Sequence, residues 1–199
     1  MNKAKEASSW LLPVIIGLVV ALIIRVFFVS LDRIDGPSML PNLENNERVL
    51  CLKQAKIHRG SVVIFNANGV DPQASGNSKY VKRVIGLPGD SVKAKDGKIF
   101  VNGKQIKQDY ISAEERDSGT GDWTLSSLGT EHNWLRNNGA RKVPAGEYFV
   151  LGDHRSVSND GRYFGFVPKD KIDGVVKVMS WTGDKVQRNN VNDEWKEFY

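Results

Sequence analysis

The feature that most constrains the fold is an apolar segment near the N-terminus, which reads WLLPVIIGLVVALIIRVFFV from Trp10 to Val29. It carries one charge, Arg25, near its far end, where a long side chain can reach the headgroup layer. As a helix the segment would be roughly 30 Å long, which matches the hydrocarbon thickness of a bilayer. The sequence therefore predicts a single transmembrane helix over residues 10–29.

Two other interpretations of this segment are weaker. A cleavable signal peptide has an apolar core of roughly 7–15 residues and a small-residue cleavage site, but Ser30-Leu31-Asp32-Arg33 offers no A-x-A pattern. A buried core helix would need an amphipathic face, which the segment lacks. We therefore expect an uncleaved anchor.

The charges before the anchor predict its orientation. Lys3 and Lys5 stand against Glu6, which gives a weak positive-inside signal. Residues 1–9 are accordingly expected in the cytoplasm and residues 30–199 outside it, as in a single-pass protein of the cell membrane.

Composition excludes several other functions. The net charge is +5, but the 28 Lys and Arg residues are scattered among 23 acids without a long run, so we expect a lipid bilayer and no nucleic acid as a partner. Cys51 is the single cysteine and lies in an apolar run, which favours a core position over a disulfide or a nucleophile. The three histidines lack zinc-ligand spacing, so neither a metal nor another cofactor is expected.

The sequence after the anchor, residues 30–199, predicts short strands. Apolar residues recur with period two or in β-rich runs, which favours a mostly β domain, either a folded-over sheet or an open barrel. Asp96-Gly97 and Asn102-Gly103 suit two-residue hairpin turns and predict a meander from Ser91 to Ile106. Residues 107–142 are polar and predict an inserted excursion or small subdomain. The predicted strands are Arg48–Lys53, Ser61–Phe65, Tyr80–Ile85, Ser91–Lys95, Lys98–Val101, Glu147–Leu151 and Val175–Trp181.

A short rigid loop, DGPSMLPNL over residues 35–43, follows the anchor. Gly36, Pro37 and Pro41 surround Ser38 in a stretch too broken for a helix. A serine becomes a nucleophile only when a base lies within hydrogen-bond reach. The loop therefore raises the question of which residue could be that base.

Histidine with an acid is the commonest base for a serine. His154 with Asp153 or Asp160 is one candidate set, although Gly152–Arg155 directly follows a predicted strand and also suits a structural turn.

Lys82 is the other candidate base. In the strand alternation it shares a face with Tyr80 and Val84, and burial there would lower the pKa of a lysine by several units from about 10.4. A shift of about three units costs on the order of 4 kcal/mol, which the folded core must offset. A strand lysine that reaches solvent is the plainer interpretation, and composition alone favours it.

Four segments in order resemble the conserved boxes of type I signal peptidases, the membrane-anchored serine endopeptidases that remove signal peptides from exported proteins. The resemblance includes the anchor and most of residues 34–181, and the single anchor is similar to the Gram-positive bacterial branch. The segments are GPSMLP at 36–41, RGSVVIF at 59–65, YVKRVIGLPGD at 80–90 and GDHRSVSNDGRYFGFVP at 152–168.

This resemblance implies a Ser–Lys dyad, with Ser38 as nucleophile and Lys82 as general base. Ser158 would orient the lysine by a hydrogen bond, and Asp160 with Arg162 would form an ion pair that supports the site. A neutral lysine would take the serine proton and return it to the leaving amine.

The resemblance also implies an oxyanion hole that includes the backbone N–H of Ser38. Gly36 is the second expected residue of the hole and stands where some members carry a serine whose hydroxyl completes it, so here the second donor would be backbone or come from elsewhere. Ser61, His154 and Gly161 also depart from the usual pattern, and both dyad positions are intact.

The implied substrate is a preprotein with small residues at −1 and −3 of the cleaved bond, typically Ala-x-Ala. A peptide laid along a strand edge presents alternate side chains to pockets, which explains why positions two apart are read. We expect Ile34 and Asp35 on one side and Tyr80 and Val81 on the other to bind it. Met39, with Leu40, is expected to dip into the lipid, and proximity to the export translocon is compatible with this placement.

Two other functions remain to be weighed. A self-cleaving Ser–Lys protease related to repressors has a DNA-binding domain where this chain has an apolar segment. A non-enzymatic anchored protein that binds exported chains would have no need of an intact dyad.

Overall fold

In the computed structural model, which describes residues 3–182 and 184–199, a long N-terminal helix precedes a mostly β domain. The helices are α1 (Lys3–Phe27), α2 (Ala113–Asp117), α3 (Leu125–His132), α4 (Gly161–Phe164) and α5 (Lys185–Asn192). The strands are β1 (Val29–Arg33), β2 (Arg48–Leu52), β3 (Val62–Asn66), β4 (Lys79–Gly86), β5 (Val92–Lys95), β6 (Lys98–Val101), β7 (Lys104–Gln105), β8 (Trp123–Thr124), β9 (Glu147–Leu151), β10 (Val167–Pro168) and β11 (Ile172–Lys177).

Helix α1 contains the predicted apolar segment. It begins at Lys3, before the predicted start, so that Pro13 lies inside the helix and not in its first turn. The stretch Trp10–Phe27 has a mean hydropathy of 2.6 and none of it is buried against the rest of the protein. A helix this long and apolar can cross a membrane, which is consistent with an anchor.

The β domain is built from two antiparallel sheets. The larger one has the order β1-β2-β11-β3-β4-β9-β10 and curls into a half-barrel, and the smaller has the order β7-β6-β5-β8. This confirms the predicted mostly β fold with a folded sheet. Strand β4 lies inside the larger sheet between β3 and β9, so its side chains are buried from Lys82 onward.

The meander from residue 91 to 106 forms as predicted. Val92 pairs with Val101 and Lys95 with Lys98, which leaves Asp96 and Gly97 as the two turn residues. Their φ angles are 50° and 71°, and those of Asn102 and Gly103 are 53° and 82°. Positive φ at both central positions is what a type I′ hairpin turn requires.

Two strand predictions need correction. The strand expected at Val175–Trp181 instead covers Ile172–Lys177, because the side chain of Asn192 bonds both backbone groups of Val178 and replaces the sheet there. Strand β1 was not predicted at all. In β1 the alternation of side chains covers only five residues and directly follows the apolar helix. The change from helical to strand periodicity is therefore hard to detect in the sequence.

Residues 107–142 contribute α2, β8 and α3 to the layer of the smaller sheet. Their apolar side chains Trp123, Leu125 and Trp134 are buried in a cluster with Ile99 and Phe149, which come from the two sheets. The segment thus belongs to the core between the sheets, and the Trp134 indole N–H donates to the carbonyl of Arg162 at 3.1 Å.

A fully buried ion pair joins β4 to the turn after β9. The Arg83 guanidinium donates from Nε and Nη2 to the two Asp153 carboxylate oxygens at 2.7 and 2.6 Å, and both side chains are 0% exposed. Its Nη1 donates to the carbonyls of Gly60 and Asn190, and the ring of Tyr110 lies 4.0 Å from the guanidinium carbon. Burial acts to lower the pKa of Arg83, but the Asp153 charge outweighs it and raises that pKa.

Removing one partner of this pair should destabilise the fold strongly. Asp153→Ala leaves the Arg83 charge buried without its carboxylate, and we expect the free energy of unfolding to fall by about 3–5 kcal/mol. Denaturant titration of the full chain in detergent, followed by tryptophan fluorescence, measures this loss. Lys95→Ala breaks the exposed pair with Asp122 and serves as the control, with stability close to wild type. Equal effects of the two substitutions would contradict the prediction.

Candidate active site

The Ser38 loop is held by its own turns and by buried apolar side chains. Gly36 has a φ of +87°, a conformation that favours glycine, and its N–H donates to the Asn45 side chain at 3.0 Å. Met39 is 1% exposed and packs in a core cluster with Leu43. The expectation that Met39 reaches the lipid is therefore wrong, because this side chain is buried in the core and holds the loop against it.

Asn42 fixes the far end of the same loop. Its side-chain nitrogen donates to the carbonyl of Tyr110 at 2.7 Å and to Asp153 at 2.9 Å, and its oxygen accepts from Asn190 at 2.8 Å. The residue is 1% exposed, so these bonds satisfy a buried amide completely.

Strand β4 brings Lys82 to Ser38. The lysine Nζ lies 2.7 Å from the serine Oγ, and the residue is 4% exposed. Because side chains alternate along a strand, Lys82 points away from the face on which its neighbour Arg83 meets Asp153. The predicted neighbour Tyr80 lies on the lysine side, with its ring centre 5.4 Å from Nζ.

Burial favours the neutral form of Lys82. Removal from water lowers the pKa of Lys82 to about 8, against the opposing charges of Asp160 and Asp153, and Arg162 lowers it further. In the part of the chain that the structure describes, Nζ is hydrogen-bonded to the neutral Ser38 hydroxyl and to no carboxylate, so the ammonium form has no anion in direct contact. A large fraction of Lys82 is therefore neutral in mildly alkaline solution.

Ser158 lies in the same buried region but without the expected hydrogen bond. It is 3% exposed, and its Oγ has no hydrogen-bond partner among residues 3–182 and 184–199. The bond to Lys82 that the resemblance implies is thus not formed in this structure. An unpaired buried hydroxyl is energetically unfavourable. Its donor and its acceptor are both available for a hydrogen bond.

Gly152 lets the Ser158 side chain and the Ser38 carbonyl both lie close to its backbone, and the sequence analysis gave it no role. A Cβ at this position would lie 2.1 Å from the Ser158 Oγ and 2.6 Å from the Ser38 carbonyl oxygen. No side chain fits there, although a glycine directly after a strand was a signal for such a contact.

Asp160 and Arg162 form the ion pair that the resemblance implies. The Arg162 Nε lies 2.9 Å from Oδ1 of Asp160, whose other oxygen accepts from the Gly152 N–H at 2.9 Å. Asp160 also caps α4, and Arg162 donates to the carbonyls of Gly119 and Arg155. The pair ties the Gly152 turn to α4 and to the 107–142 segment.

The alternative triad is not assembled. The His154 ring lies 3.2 Å from the Pro37 carbonyl and 3.5 Å from Glu115, and neither nitrogen bonds to the Ser38 hydroxyl. Asp153 is paired with Arg83, and Asp160 with Arg162. His154 instead holds the loop through its backbone N–H, which donates to the Ser38 carbonyl at 3.1 Å.

The oxyanion donors differ from the expectation in one respect. The Gly36 N–H is already bonded to Asn45, whereas the Ser38 N–H makes no hydrogen bond to any described residue. Of the two candidates, only the Ser38 N–H is unoccupied.

One strand edge is open beside Ser38 and Lys82. Tyr80 and Val81 pair with β3 on one side, while β9 pairs with β4 only from Arg83 onward, so the other side of this stretch is uncovered. Ile34 does not offer a free edge, because its N–H and C=O are bonded to Glu47 and Asn46 and its side chain is buried. Asp35 is exposed and its backbone is unpaired in the described chain.

Comparison with known proteins identifies this arrangement. A crystal structure of a signal peptidase I from Enterococcus faecalis V583 matches with a TM-score of 0.50 and 33% sequence identity, over 61% of this chain and 97% of that one. The Staphylococcus aureus (strain Mu50) signal peptidase IB is 34% identical over 93% of this chain and 95% of its own length. The Bacillus subtilis (strain 168) signal peptidase I S is 33% identical over 96% and 97%.

The fold and these relatives define a serine endopeptidase of the type I signal peptidase class. The chain belongs to the signal peptidase family, peptidase S26, whose model matches residues 7–181. Its reaction is the removal of signal peptides.

The unpaired Ser158 hydroxyl leads to a stability prediction. Ser158→Ala removes a buried, unsatisfied polar atom, so we expect the free energy of unfolding to rise by about 1 kcal/mol. Ser156→Ala is the matched control, because its hydroxyl is bonded to Glu115 at 2.9 Å and its loss should not stabilise. Denaturant titrations of both variants test this, and a loss of stability in Ser158→Ala would show that the hydroxyl has a partner in solution.

Proposed function

We propose that this protein cleaves exported preproteins with Ser38 as nucleophile and Lys82 as general base. The observation that carries the proposal is the 2.7 Å contact between Ser38 Oγ and a lysine that is almost fully buried. A buried lysine of lowered pKa beside a serine hydroxyl is an activated nucleophile.

The chemistry proceeds in two halves. Neutral Lys82 takes the proton from the Ser38 hydroxyl as Oγ attacks the scissile carbonyl, and the lysinium then gives that proton to the leaving amine. The mature protein departs with this amine, and the signal peptide stays bound to Ser38 as an acyl ester. A water molecule, deprotonated by Lys82, then attacks the ester, and the proton returns to the Ser38 Oγ as the signal peptide departs with a new carboxylate. No step requires a cofactor.

The remaining site residues have supporting roles in this proposal. The Ser38 N–H would donate to the oxyanion that develops in each half-reaction, where one such bond contributes about 3–4 kcal/mol. Gly36 would shape the hole by its positive φ and not by its own N–H. Ser158 would bond to Lys82 once substrate excludes water, and the Asp160–Arg162 pair would hold the Gly152 turn.

The substrate would bind as an extended strand between the open edge at Tyr80–Val81 and the backbone of Asp35. Residues two apart then face the same pockets, which supports specificity for small side chains at −1 and −3, as in Ala-x-Ala. Ile34 would contribute by lining the floor of this groove from the core, since its own backbone is occupied.

The membrane topology is part of the same proposal. Residues 1–9 would lie in the cytoplasm, residues 10–29 in the bilayer and residues 30–199 outside, where translocated preproteins emerge beside the export translocon. The end of α1 is bonded to the β domain, because Lys53 Nζ donates to the Val26 carbonyl at 2.7 Å and Gln54 to the Phe27 carbonyl at 3.1 Å.

A cleavage assay tests the dyad. We expect the wild type to cut a preprotein after the second Ala of an Ala-x-Ala site, and Ser38→Ala and Lys82→Met to lose at least about a thousandfold in rate, because each lacks one half of the proton transfer. His154→Ala is the control and should retain cleavage. Activity that survives in Lys82→Met but is lost in His154→Ala would refute the dyad in favour of a triad. Binding without cleavage by the wild type would favour a non-enzymatic role.

The lowered pKa of Lys82 predicts the pH dependence of cleavage. Since only the neutral amine can accept the proton, kcat/KM should rise tenfold per pH unit in acid and level off above the lysine pKa of about 8. Initial rates between pH 5 and 10 measure this limb. A limb centred near 6.5 that disappears in His154→Ala would instead identify a histidine base.

A further inference from the structure

The C-terminal segment, residues 184–199, lies beyond the 7–181 match to the family model and yet contacts the Ser38 loop. Its helix α5 is started by a capping box, in which the Asp184 side chain accepts from the Gln187 N–H at 2.8 Å. Residues three and four apart share one face of a helix, so Gln187, Asn190 and Val191 point the same way. That face is turned toward the loop that carries the nucleophile.

Each of these three residues contacts or packs against the loop. The Gln187 Nε2 donates to the carbonyl of Pro41 at 2.9 Å, and the Asn190 Nδ2 donates to the Asn42 side chain at 2.8 Å. Val191 is 1% exposed and belongs to the apolar cluster that contains Met39. The two hydrogen bonds fall within four residues of Ser38.

Asn190 also reaches the buried ion pair. Its carbonyl accepts from Nη1 of Arg83 at 2.8 Å, while Asn42 donates to the Asp153 carboxylate that faces the same guanidinium. Asn190 therefore closes a ring of hydrogen bonds that runs through Asn42, Asp153 and Arg83. Arg83 is the residue after Lys82, so its side chain links this ring to the strand that carries the proposed base.

The segment is fixed on both sides of this contact. Asn192 bonds the backbone of Val178 at the end of β11, and the Trp195 ring stacks on His58 with centroids 4.5 Å apart. Further on, Phe198 is buried and its carbonyl accepts from the Lys107 N–H at 3.0 Å. These contacts fix the position of α5 against the Ser38 loop.

We propose that α5 positions the nucleophile, with Asn190 and Gln187 as positioning residues that hold the Ser38 loop in register with Lys82. They act through Asn42 and Pro41 and touch neither substrate nor the reacting atoms. The inference rests on the proposed role of Ser38 and Lys82, and it adds a second element that the dyad geometry requires.

The test compares Asn190→Ala, Gln187→Ala and the near-isosteric Asn190→Asp with Asn189→Ala, a control on the exposed side of the same helix. Asn190→Asp keeps the shape but removes the donor to Asn42. We expect Asn190→Ala and Asn190→Asp to lower kcat on an Ala-x-Ala preprotein by about five- to fiftyfold with KM within about twofold, since misplacement of a reacting group by 1 Å can cost about a hundredfold. Gln187→Ala should lower kcat less, because one bond to a backbone carbonyl is lost.

Hydrogen exchange of the amides from residue 39 to 45 gives a readout independent of catalysis. We expect faster exchange there in both Asn190 variants and in Gln187→Ala, and wild-type exchange in Asn189→Ala. If the wild type fails to cleave, the proposed function falls while the exchange data still decide whether α5 holds the loop.

Two outcomes would overturn the inference. One is kcat and loop exchange in Asn190→Ala and Gln187→Ala that remain within twofold of Asn189→Ala. The other is a kcat loss that scales with loss of thermal stability and is restored by lowering the assay temperature, because that pattern indicates a general destabilisation and not a displaced nucleophile.

Discussion

The guanidinium of Arg83 and the carboxylate of Asp153 form an ion pair that is fully buried, and several segments that are distant in the sequence contact this pair. Strand β4 supplies the arginine and the turn after β9 supplies the acid. The Ser38 loop contacts the acid through Asn42, and the C-terminal helix contacts the arginine through the Asn190 carbonyl. A buried pair of this kind adds little net stability compared with apolar packing, but it tolerates few alternative arrangements. Here it fixes how these segments meet.

The same strand shows what the absence of such a partner does. Lys82 and Arg83 are consecutive and both buried, yet they face opposite sides of β4. Arg83 meets a carboxylate and stays charged, whereas Lys82 meets only the Ser38 hydroxyl at hydrogen-bond distance and has a pKa lowered to about 8. Alternation along one strand thus separates a paired structural cation, Arg83, from a lysine of lowered pKa beside Ser38.

Much of this architecture could be predicted from the sequence, for identifiable reasons. The apolar helix and the Asp-Gly and Asn-Gly hairpins depend on local rules of length and backbone conformation, and both were predicted. Lys82 could be placed on the correct face of its strand by alternation, but only the four ordered motifs connected it with Ser38. The limits lie in contacts between distant residues. Nothing local indicates that Met39 turns inward or that the Ile34 backbone is occupied, and the glycine at 152 signals a close contact without identifying Ser158 as the partner.

The bonds from Lys53 and Gln54 to the last carbonyls of α1 have a geometric consequence. They cap the C-terminus of the helix with side chains from the loop after β2, while β1 starts only two residues after the helix ends and pairs with β2. Because this connection is short and is held by side-chain hydrogen bonds, we expect the helix and the sheet to move together. With α1 in the bilayer as proposed, a tilt of the helix would be transmitted to the sheet, so bilayer thickness would affect which peptide bond the proposed nucleophile Ser38 can reach.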